Sequence, residues 1–268
     1  MPPVEPVTMS PSAPEAKSKK DGSAATAVAP AATATASSST PSAGAGPFYD
    51  AVSGPPGYVA ASIPALQVQI FAVFFSRLVQ DPLATMGRSL LPVMVFTQVV
   101  YAVLFLPVAG SSSRSQRKSR PGEKKKAGPA GSEPNIIMAA LLSLLLTLIT
   151  TPLLHATMVL FGAPFLTHVP HTLLCAAHLS LLTLFPLFYT RGVDAAAWRA
   201  IVGLRAPFDE SVGALAGAFI GAWLGAVPIP LDWDRDWQRW PVTVLTGVYA
   251  GYAIGSYAGR TVLKGRRF

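Results

Sequence analysis

Charge is the scarcest property of this chain. Of its 268 residues only 13% are Asp, Glu, Lys or Arg, against roughly 25% in an ordinary soluble domain. Hydrophobic residues make up 51% of the chain, yet leucine and isoleucine are absent from residues 1–62. The rest of the chain is therefore too apolar for a water-soluble globule. This excludes a soluble enzyme and predicts an all-α polytopic membrane protein.

Cysteine occurs once, at Cys175 in an apolar stretch, which excludes an internal disulfide framework and a zinc site built from thiolates. Acidic residues are also few: 13 Asp and Glu oppose 21 Lys and Arg, so the net charge is +8. The basic residues lie mostly in short tracts between apolar runs, whereas nucleic-acid binding needs them on one folded face with aromatics interleaved. We therefore expect no nucleic-acid partner.

The first 62 residues are rich in Ala, Ser, Thr and Pro. Such a segment cannot bury enough apolar surface to offset the entropy lost on ordering. The sequence therefore predicts a disordered cytosolic tail over residues 1–62, followed by a membrane domain over residues 63–262.

Six membrane spans are predicted from the uncharged runs. No residue from Pro134 to Thr190 is charged, and as one helix these 57 residues would extend about 86 Å, nearly three times the ~30 Å bilayer core. They must form two crossings, and Phe161–Pro164 (FGAP) provides the break between them. The predicted spans are residues 63–79, 90–109, 136–161, 171–190, 211–227 and 242–262.

The positions of Lys and Arg predict the orientation. Of the 21 basic residues, 17 lie in the tail, in a basic loop at 110–135, between the fourth and fifth spans, or at the C-terminal end, where Arg260 precedes a basic C-terminus at 263–268. Basic residues are retained on the cytosolic side of membrane proteins. Both termini are therefore predicted to face the cytosol.

Glycine repeats every four residues in each of the last two predicted spans. The eight glycines are Gly213, Gly217, Gly221, Gly225, Gly247, Gly251, Gly255 and Gly259. Residues four apart share one face of a helix, so each span has a face without side chains that allows close backbone packing. The two faces could pack on each other or on a partner subunit.

The connection between these two spans is rich in proline, tryptophan and aspartate. Its motif residues are Pro228, Pro230, Asp232, Trp233, Trp237, Gln238, Trp240 and Pro241. Tryptophan is typical of the membrane–water interface. The alternating aspartates resemble the start of a calcium loop, but Trp237 stands where such a loop needs glycine and Thr243 where it needs glutamate. We interpret the connection as a luminal cap with no metal.

Two elements of the sequence carry a family resemblance. Gly221–Trp233 reads GAWLGAVPIPLDW and is followed by Trp237-Gln238, Trp240-Pro241 and Gly251-Tyr252. Earlier in the chain, His155 precedes VLFGAP at Val159–Pro164. Together they resemble the signature of the PIG-F family of glycosylphosphatidylinositol (GPI) anchor biosynthesis, over about residues 136–260.

The resemblance implies an endoplasmic-reticulum membrane protein that is the partner and stabiliser of large GPI ethanolamine-phosphate transferases. These enzymes add ethanolamine phosphate to the GPI mannoses, with phosphatidylethanolamine as the donor. The large subunit would supply the luminal, metal-dependent catalytic domain. In this interpretation the chain itself is not an enzyme.

The residues themselves show no catalytic motif. A G-x-S-x-G elbow, a P-loop and an H-E-x-x-H helix are all absent, so we predict no catalytic, cofactor or metal residues. His171 and His178 could share a helix face, but no carboxylate lies near them in the sequence. His155, with Phe161, Gly162 and Pro164, is a candidate for a lipid or interhelical contact. A core histidine with its hydrogen bonds satisfied is the plain alternative.

A second function stays open at this point. The chain could be a small intramembrane enzyme or lipid carrier, in which His155 and the Asp-Trp loop handle phosphatidylethanolamine or the GPI intermediate. Activity of the chain alone, without a large subunit, would distinguish the two.

Overall fold

The computed structural model describes residues 55–110, 135–231 and 233–267. The first 54 residues of the predicted tail lie outside this range. So do residues 111–134 of the predicted basic loop, together with Asp232 and Phe268. All regular structure in the described residues is helical, as the fold class predicted.

Seven helices are distinguished here, six of them long. They are α1 (Pro55–Gln80), α2 (Pro82–Phe105), α3 (Ile136–Leu160), α4 (Val169–Arg191), α5 (Ala195–Val202), α6 (Glu210–Ala226) and α7 (Val242–Arg260). The connection from α6 to α7 contains two single 3-10 turns, Ile229–Leu231 and Asp236–Gln238.

Five helices are long and apolar enough to cross a membrane. These candidate spans are Val59–Gln80, Pro82–Phe105, Ile136–Leu160, Val169–Arg191 and Glu210–Leu231. The sixth long helix, α7, is less apolar because four glycines, three tyrosines and three hydroxyl residues occupy its 19 positions. The helix that the sixth span requires is therefore present, and its crossing of the membrane stays a prediction.

Helices α1 and α2 do not begin and end where the first two spans were predicted to. Helix α1 begins at Pro55, so the predicted tail does not extend to residue 62 and the helix does not start near Ile63. Two prolines occupy the first turn, where the missing N–H costs no hydrogen bond. No charged residue interrupts the helix before Arg77, and Pro64 lies within it rather than at its start.

Helix α2 begins at Pro82, before the predicted residue 90, and ends at Phe105 rather than 109. The side chain of Asp81 caps its start by accepting a hydrogen bond from the amide of Ala84 (3.0 Å). A π-helical turn at Thr85–Leu90 continues the helix into the apolar segment. The helix stops where Leu106 becomes extended before a proline. The other four long helices begin and end within two residues of the predicted spans.

Helix α4 is the centre of the described bundle. In its most apolar window 72% of the residues are buried, against 22–28% in the other four candidate spans. Helix α3 packs along one side of α4, and α6 and α7 form a closely packed pair beside it. The largest core cluster joins side chains of α1, α2, α4 and α7, among them Phe71, Met94, Phe185 and Leu245.

Candidate functional site

The two glycine ladders face each other along the contact between α6 and α7. A Cβ atom added at any of the eight glycines would lie closer than 3.0 Å to a backbone atom of the facing segment, a distance that real Cβ atoms do not reach. At Gly217, for example, it would lie 2.7 Å from the Cα of Gly255. Close packing of this kind gains van der Waals contact. The two glycine faces therefore pack on each other within the chain, and a contact of these glycines with a partner stays a prediction.

Gln238 holds the tryptophan-rich connection in shape. Its side-chain Oε1 accepts hydrogen bonds from the backbone amides of Trp233 (3.0 Å) and Arg235 (3.3 Å). Its Nε2 donates to the carbonyl oxygen of Pro228 (2.8 Å). One amide side chain therefore closes the loop between its proline-rich entry and the Asp236–Gln238 turn. The carboxamide makes this possible because it carries an acceptor oxygen and a donor nitrogen on one group.

Two further contacts attach this loop to the helices. The indole Nε1 of Trp240 donates to the hydroxyl of Thr172 (3.0 Å) in the first turn of α4. The guanidinium of Arg239 donates to the carbonyl oxygen of Gln80 (3.2 Å) at the end of α1. The loop therefore covers one end of the bundle as a cap, which is the arrangement expected of it.

The FGAP element forms the turn that ends α3. The amide of Phe161 bonds to Thr157, that of Gly162 to Val159 and that of Ala163 to Met158, at 2.9–3.1 Å. Gly162 has a φ of +102°, a backbone conformation that residues other than glycine rarely adopt. The glycine of this element is therefore needed for the turn itself.

An apolar groove of about 510 Å³ brings the two sequence elements together. Its walls come from the end of α3, the FGAP turn, the second half of α6 and the cap. They include Met158, Phe161, Gly162, Trp223, Pro230 and Trp240. Since α3 packs mainly on α4, the groove is the space left between α3 and α6 below the cap. Its lining is mainly apolar, with Thr157 as one of the few polar side chains.

The structure places the other predicted site residues elsewhere. His155 is half-buried on α3 and does not line the groove, and its Nδ1 is buried with no hydrogen-bond partner among the described residues. Within the described residues this atom therefore forms no interhelical hydrogen bond, and a lipid contact at His155 stays a prediction. Pro164 lies beyond the groove lining, whereas Pro228 and Trp237 line a second groove of about 610 Å³ along the α6–α7 pair.

His178, which the sequence suggested only as a possible neighbour of His171, is a buried polar centre of the bundle. It is fully buried in α4. Its Nδ1 lies 2.8 Å from the hydroxyl of Tyr249 in α7, and its Nε2 lies 3.4 Å from the carbonyl oxygen of Met86 in the π-helical turn. Its position within a long uncharged run indicates this role, because an ionisable side chain in such a run requires hydrogen-bond partners.

Two ion pairs lie at the opposite end of the bundle from the cap. Arg191 at the end of α4 pairs with Asp209, and Arg260 at the end of α7 pairs with Glu210. All four side chains are at most 18% exposed. Asp209 also caps α6 by accepting a hydrogen bond from the amide of Val212 (2.9 Å). The start of α6 is thus held between the ends of its two neighbours.

With this geometry in place, comparison with known proteins identifies the family. The model of the GPI biosynthesis protein family Pig-F matches residues 62–260. The chain belongs to this family. The match covers the groove, the cap and the contact between the two glycine ladders, which we call the glycine seam. It confirms the resemblance inferred from the tryptophan-proline motif. As a Pig-F protein the chain acts in GPI-anchor biosynthesis.

Relatives agree with this placement. The chain is 72% identical over 211 residues to glycosylphosphatidylinositol anchor biosynthesis protein 11 of Pyricularia oryzae, covering 79% of each chain. Identity to the protein of the same name from Neurospora crassa is 56% over 211 residues, 78% of this chain and 76% of the other. A mouse protein named GPI ethanolamine phosphate transferase, stabilizing subunit, is 39% identical over 107 residues, 38% of this chain and 49% of the mouse chain. No solved structure matches this chain.

Proposed function

We propose that this chain is a non-catalytic membrane subunit that binds and stabilises a GPI ethanolamine-phosphate transferase in the endoplasmic reticulum. The observation that carries the proposal is its similarity to the mouse and human proteins named as the stabilizing subunit of that enzyme. The architecture supports it, because the described residues consist mostly of long apolar helices. Such a chain offers mostly membrane-embedded surface for assembly.

Co-purification tests this proposal directly. The tagged chain is isolated from membranes in mild detergent, and the large proteins that accompany it are identified. Its removal from cells should reduce the amount of the large transferase and lead to accumulation of GPI precursors that lack ethanolamine phosphate. Transfer of ethanolamine phosphate by the purified chain alone would overturn the proposal.

The groove under the cap favours a second candidate function, which is to hold a lipid for the transferase. It is apolar, lies between α3 and α6, and ends at Pro230 and Trp240 of the cap. A diacyl lipid has apolar chains for such a space and a polar headgroup for its rim. We propose phosphatidylethanolamine or the GPI intermediate as the occupant.

A matched pair of variants tests this second function. Thr157→Trp would fill the groove, whereas Ala156→Trp adds the same ring at the neighbouring exposed position, which does not line it. Crosslinking of a photoreactive phosphatidylethanolamine should fall with the first variant and not with the second. Equal crosslinking by both variants would contradict a lipid in the groove.

We propose that the cap is luminal and that both termini are cytosolic. At the end opposite the cap the described residues place seven basic side chains: Arg191, Arg199, Arg205, Arg260, Lys264, Arg266 and Arg267. This bias supports a cytosolic location for that end. A glycosylation acceptor inserted beside Trp233 should be modified, and one inserted after Gly110 should not. The reverse pattern of glycosylation would contradict this orientation and place the cap on the cytosolic side.

A further inference from the structure

Helix α5 lies between two long helices at the end of the bundle opposite the cap. Its inner face is fixed to the protein. The Trp198 ring lies 4.9 Å from the Phe188 ring, and its indole N–H donates to the carbonyl oxygen of Gly192 (2.9 Å). Ile201 is buried in a small cluster with Leu187 and neighbouring residues. The helix is therefore a fixed part of the fold and not a loose connection.

The outer face of α5 and the turn after it combine apolar and basic side chains. Val202 is 82% exposed and Leu204 is 63% exposed. Arg199 and Arg205 are exposed beside them. The amide of Arg205 donates to the carbonyl oxygen of Ala200 (2.8 Å), which fixes the turn. Exposed apolar residues next to arginines are typical of a segment that lies at the membrane surface.

The end of the chain is attached to the same region. The amide of Phe208 donates to the carbonyl oxygen of Arg266 (2.9 Å), and the amide of Gly265 donates to the carbonyl oxygen of Phe208 (2.8 Å). This backbone pairing brings Arg266 and Arg267 next to the connection between α5 and α6. Both arginine side chains are exposed. Two segments more than 50 residues apart thus adjoin at one end of the bundle, and both carry exposed arginines.

The carboxylates near these arginines form hydrogen bonds or ion pairs with other groups of the protein. Asp194 caps α5 by accepting a hydrogen bond from the amide of Ala196 (2.9 Å). Asp209 and Glu210 are paired with Arg191 and Arg260. In the part of the chain that the structure describes, the four exposed arginines have no carboxylate within ion-pair distance. Their charges are therefore available to an external anion.

We propose that Arg199, Arg205, Arg266 and Arg267, which we call the arginine surface, bind anionic phospholipids of the adjacent leaflet. Charge complementarity identifies the occupant, because guanidinium groups bind phosphodiesters through paired N–H donors. The apolar side chains of Val202 and Leu204 enter the acyl boundary beside the headgroup. The bound lipids hold α5 and the C-terminal segment at the membrane surface. This surface lies at the other end of the bundle from the groove under the cap, and its function does not depend on the proposed transferase.

Native mass spectrometry of the full-length chain released from detergent tests the proposal, with dioleoyl phosphatidylinositol and dioleoyl phosphatidylcholine as probes. We expect phosphatidylinositol to bind at least about tenfold more tightly than phosphatidylcholine, because arginines near an anionic headgroup add to its affinity. Replacement of all four arginines by glutamine should remove this preference. The control, Arg88→Gln with Arg235→Gln, changes exposed arginines near the cap end and should retain it.

Three results would overturn the proposal. One is equal affinity for the two lipids, and another is an unchanged preference in the fourfold variant. The third is equal binding of water-soluble glycerophosphoinositol, which would indicate a site for a free phosphodiester rather than for a lipid. If the fourfold variant fails to fold, Arg266→Gln with Arg267→Gln replaces it, because both residues follow the last helix. That variant should lose about threefold or more in affinity for phosphatidylinositol, and an unchanged affinity would contradict the proposal.

Discussion

The Nδ1 of His178 lies 2.8 Å from the hydroxyl oxygen of Tyr249, and both side chains are completely buried. The Tyr249 ring in turn stacks on Phe71 of α1 at a centroid distance of 4.4 Å. The Nε2 of His178 lies 3.4 Å from the carbonyl oxygen of Met86 in α2. A single buried pair therefore connects four helices of the described bundle.

The first prediction concerns this hydrogen bond. Tyr249→Phe removes the hydroxyl and leaves Nδ1 of His178 buried without a partner. We expect a loss of about 1 kcal/mol in the free energy of unfolding, the usual scale of such bonds within membranes. The measurement is the unfolding midpoint in detergent under a denaturant titration.

Tyr257→Phe is the matched control for this prediction. It makes the same change two turns further along α7, at a side chain that is 68% exposed, and it should change the free energy of unfolding by less than about 0.5 kcal/mol. With His178→Leu as background, Tyr249→Phe should cost less than it does alone, because the unpaired imidazole is then absent. Equal effects of the two tyrosine changes would show that the pair does not stabilise the bundle.

Close helix packing could be predicted from the sequence where it depends on local periodicity. The four-residue spacing of Gly217, Gly221 and the other ladder glycines places them on one face of a helix, whatever surrounds that helix. The helix on which this face packs cannot be predicted from the spacing, because it depends on which helices the fold brings together. Only the structure could show that the two ladders meet within one chain.

Contacts between distant residues account for what the sequence could not predict. His178 and Tyr249 are 71 residues apart, and no periodic pattern connects them. The groove likewise depends on how α3 and α6 are separated around α4, so that Phe161 and Trp240 meet at one cavity. The start of α2 was missed because its helical signal lies in Asp81 and Pro82, a cap and a first-turn residue that are equally typical of a turn.

The second prediction concerns the glycine seam. Gly217→Leu or Gly251→Leu places a side chain where the facing backbone lies closer than 3.0 Å. The two helices must then separate, and overpacking of this kind costs roughly 1–3 kcal/mol or more. We expect unfolding at a lower denaturant concentration, a broadened elution profile in detergent and less co-purified transferase.

The neighbouring change Ala250→Leu adds the same side chain at an exposed position of α7 and should have little effect on any of these three measurements. Native behaviour of both glycine variants would contradict the packing role.

The third prediction concerns the ion pairs that hold α6. Arg260→Glu places a second carboxylate beside Glu210, where both groups are at most 18% exposed. Breaking a pair of this kind costs about 3–5 kcal/mol when it is buried, and we expect a loss toward the lower end here. The combination of Arg260→Glu with Glu210→Arg restores opposite charges and should recover part of the stability. The cap provides the comparison. The side chains of Arg239 and Asp236 form a pair in which they are 50% and 78% exposed, so Asp236→Asn, which removes only this pair, should cost less than about 1 kcal/mol. A double variant as unstable as Arg260→Glu alone would mean that the charge pairing is not what holds α6.

The last prediction concerns Gln238 and the cap. Gln238→Leu removes the acceptor of the Trp233 and Arg235 amides and the donor to Pro228. Each hydrogen bond contributes about 1 kcal/mol net, so hydrogen exchange at those two amides should accelerate about fivefold or more, while the amides of α4 keep their native rates. Gln238→Glu is the discriminating control, because it retains the acceptor oxygens and loses only the donor. It should preserve the slow exchange of both amides. Equal acceleration in the Leu and Glu variants would assign the stability of the cap to the hydrogen bond with Pro228 instead. Unchanged exchange in both variants would show that the prolines and tryptophans of the cap hold the loop without the Gln238 side chain.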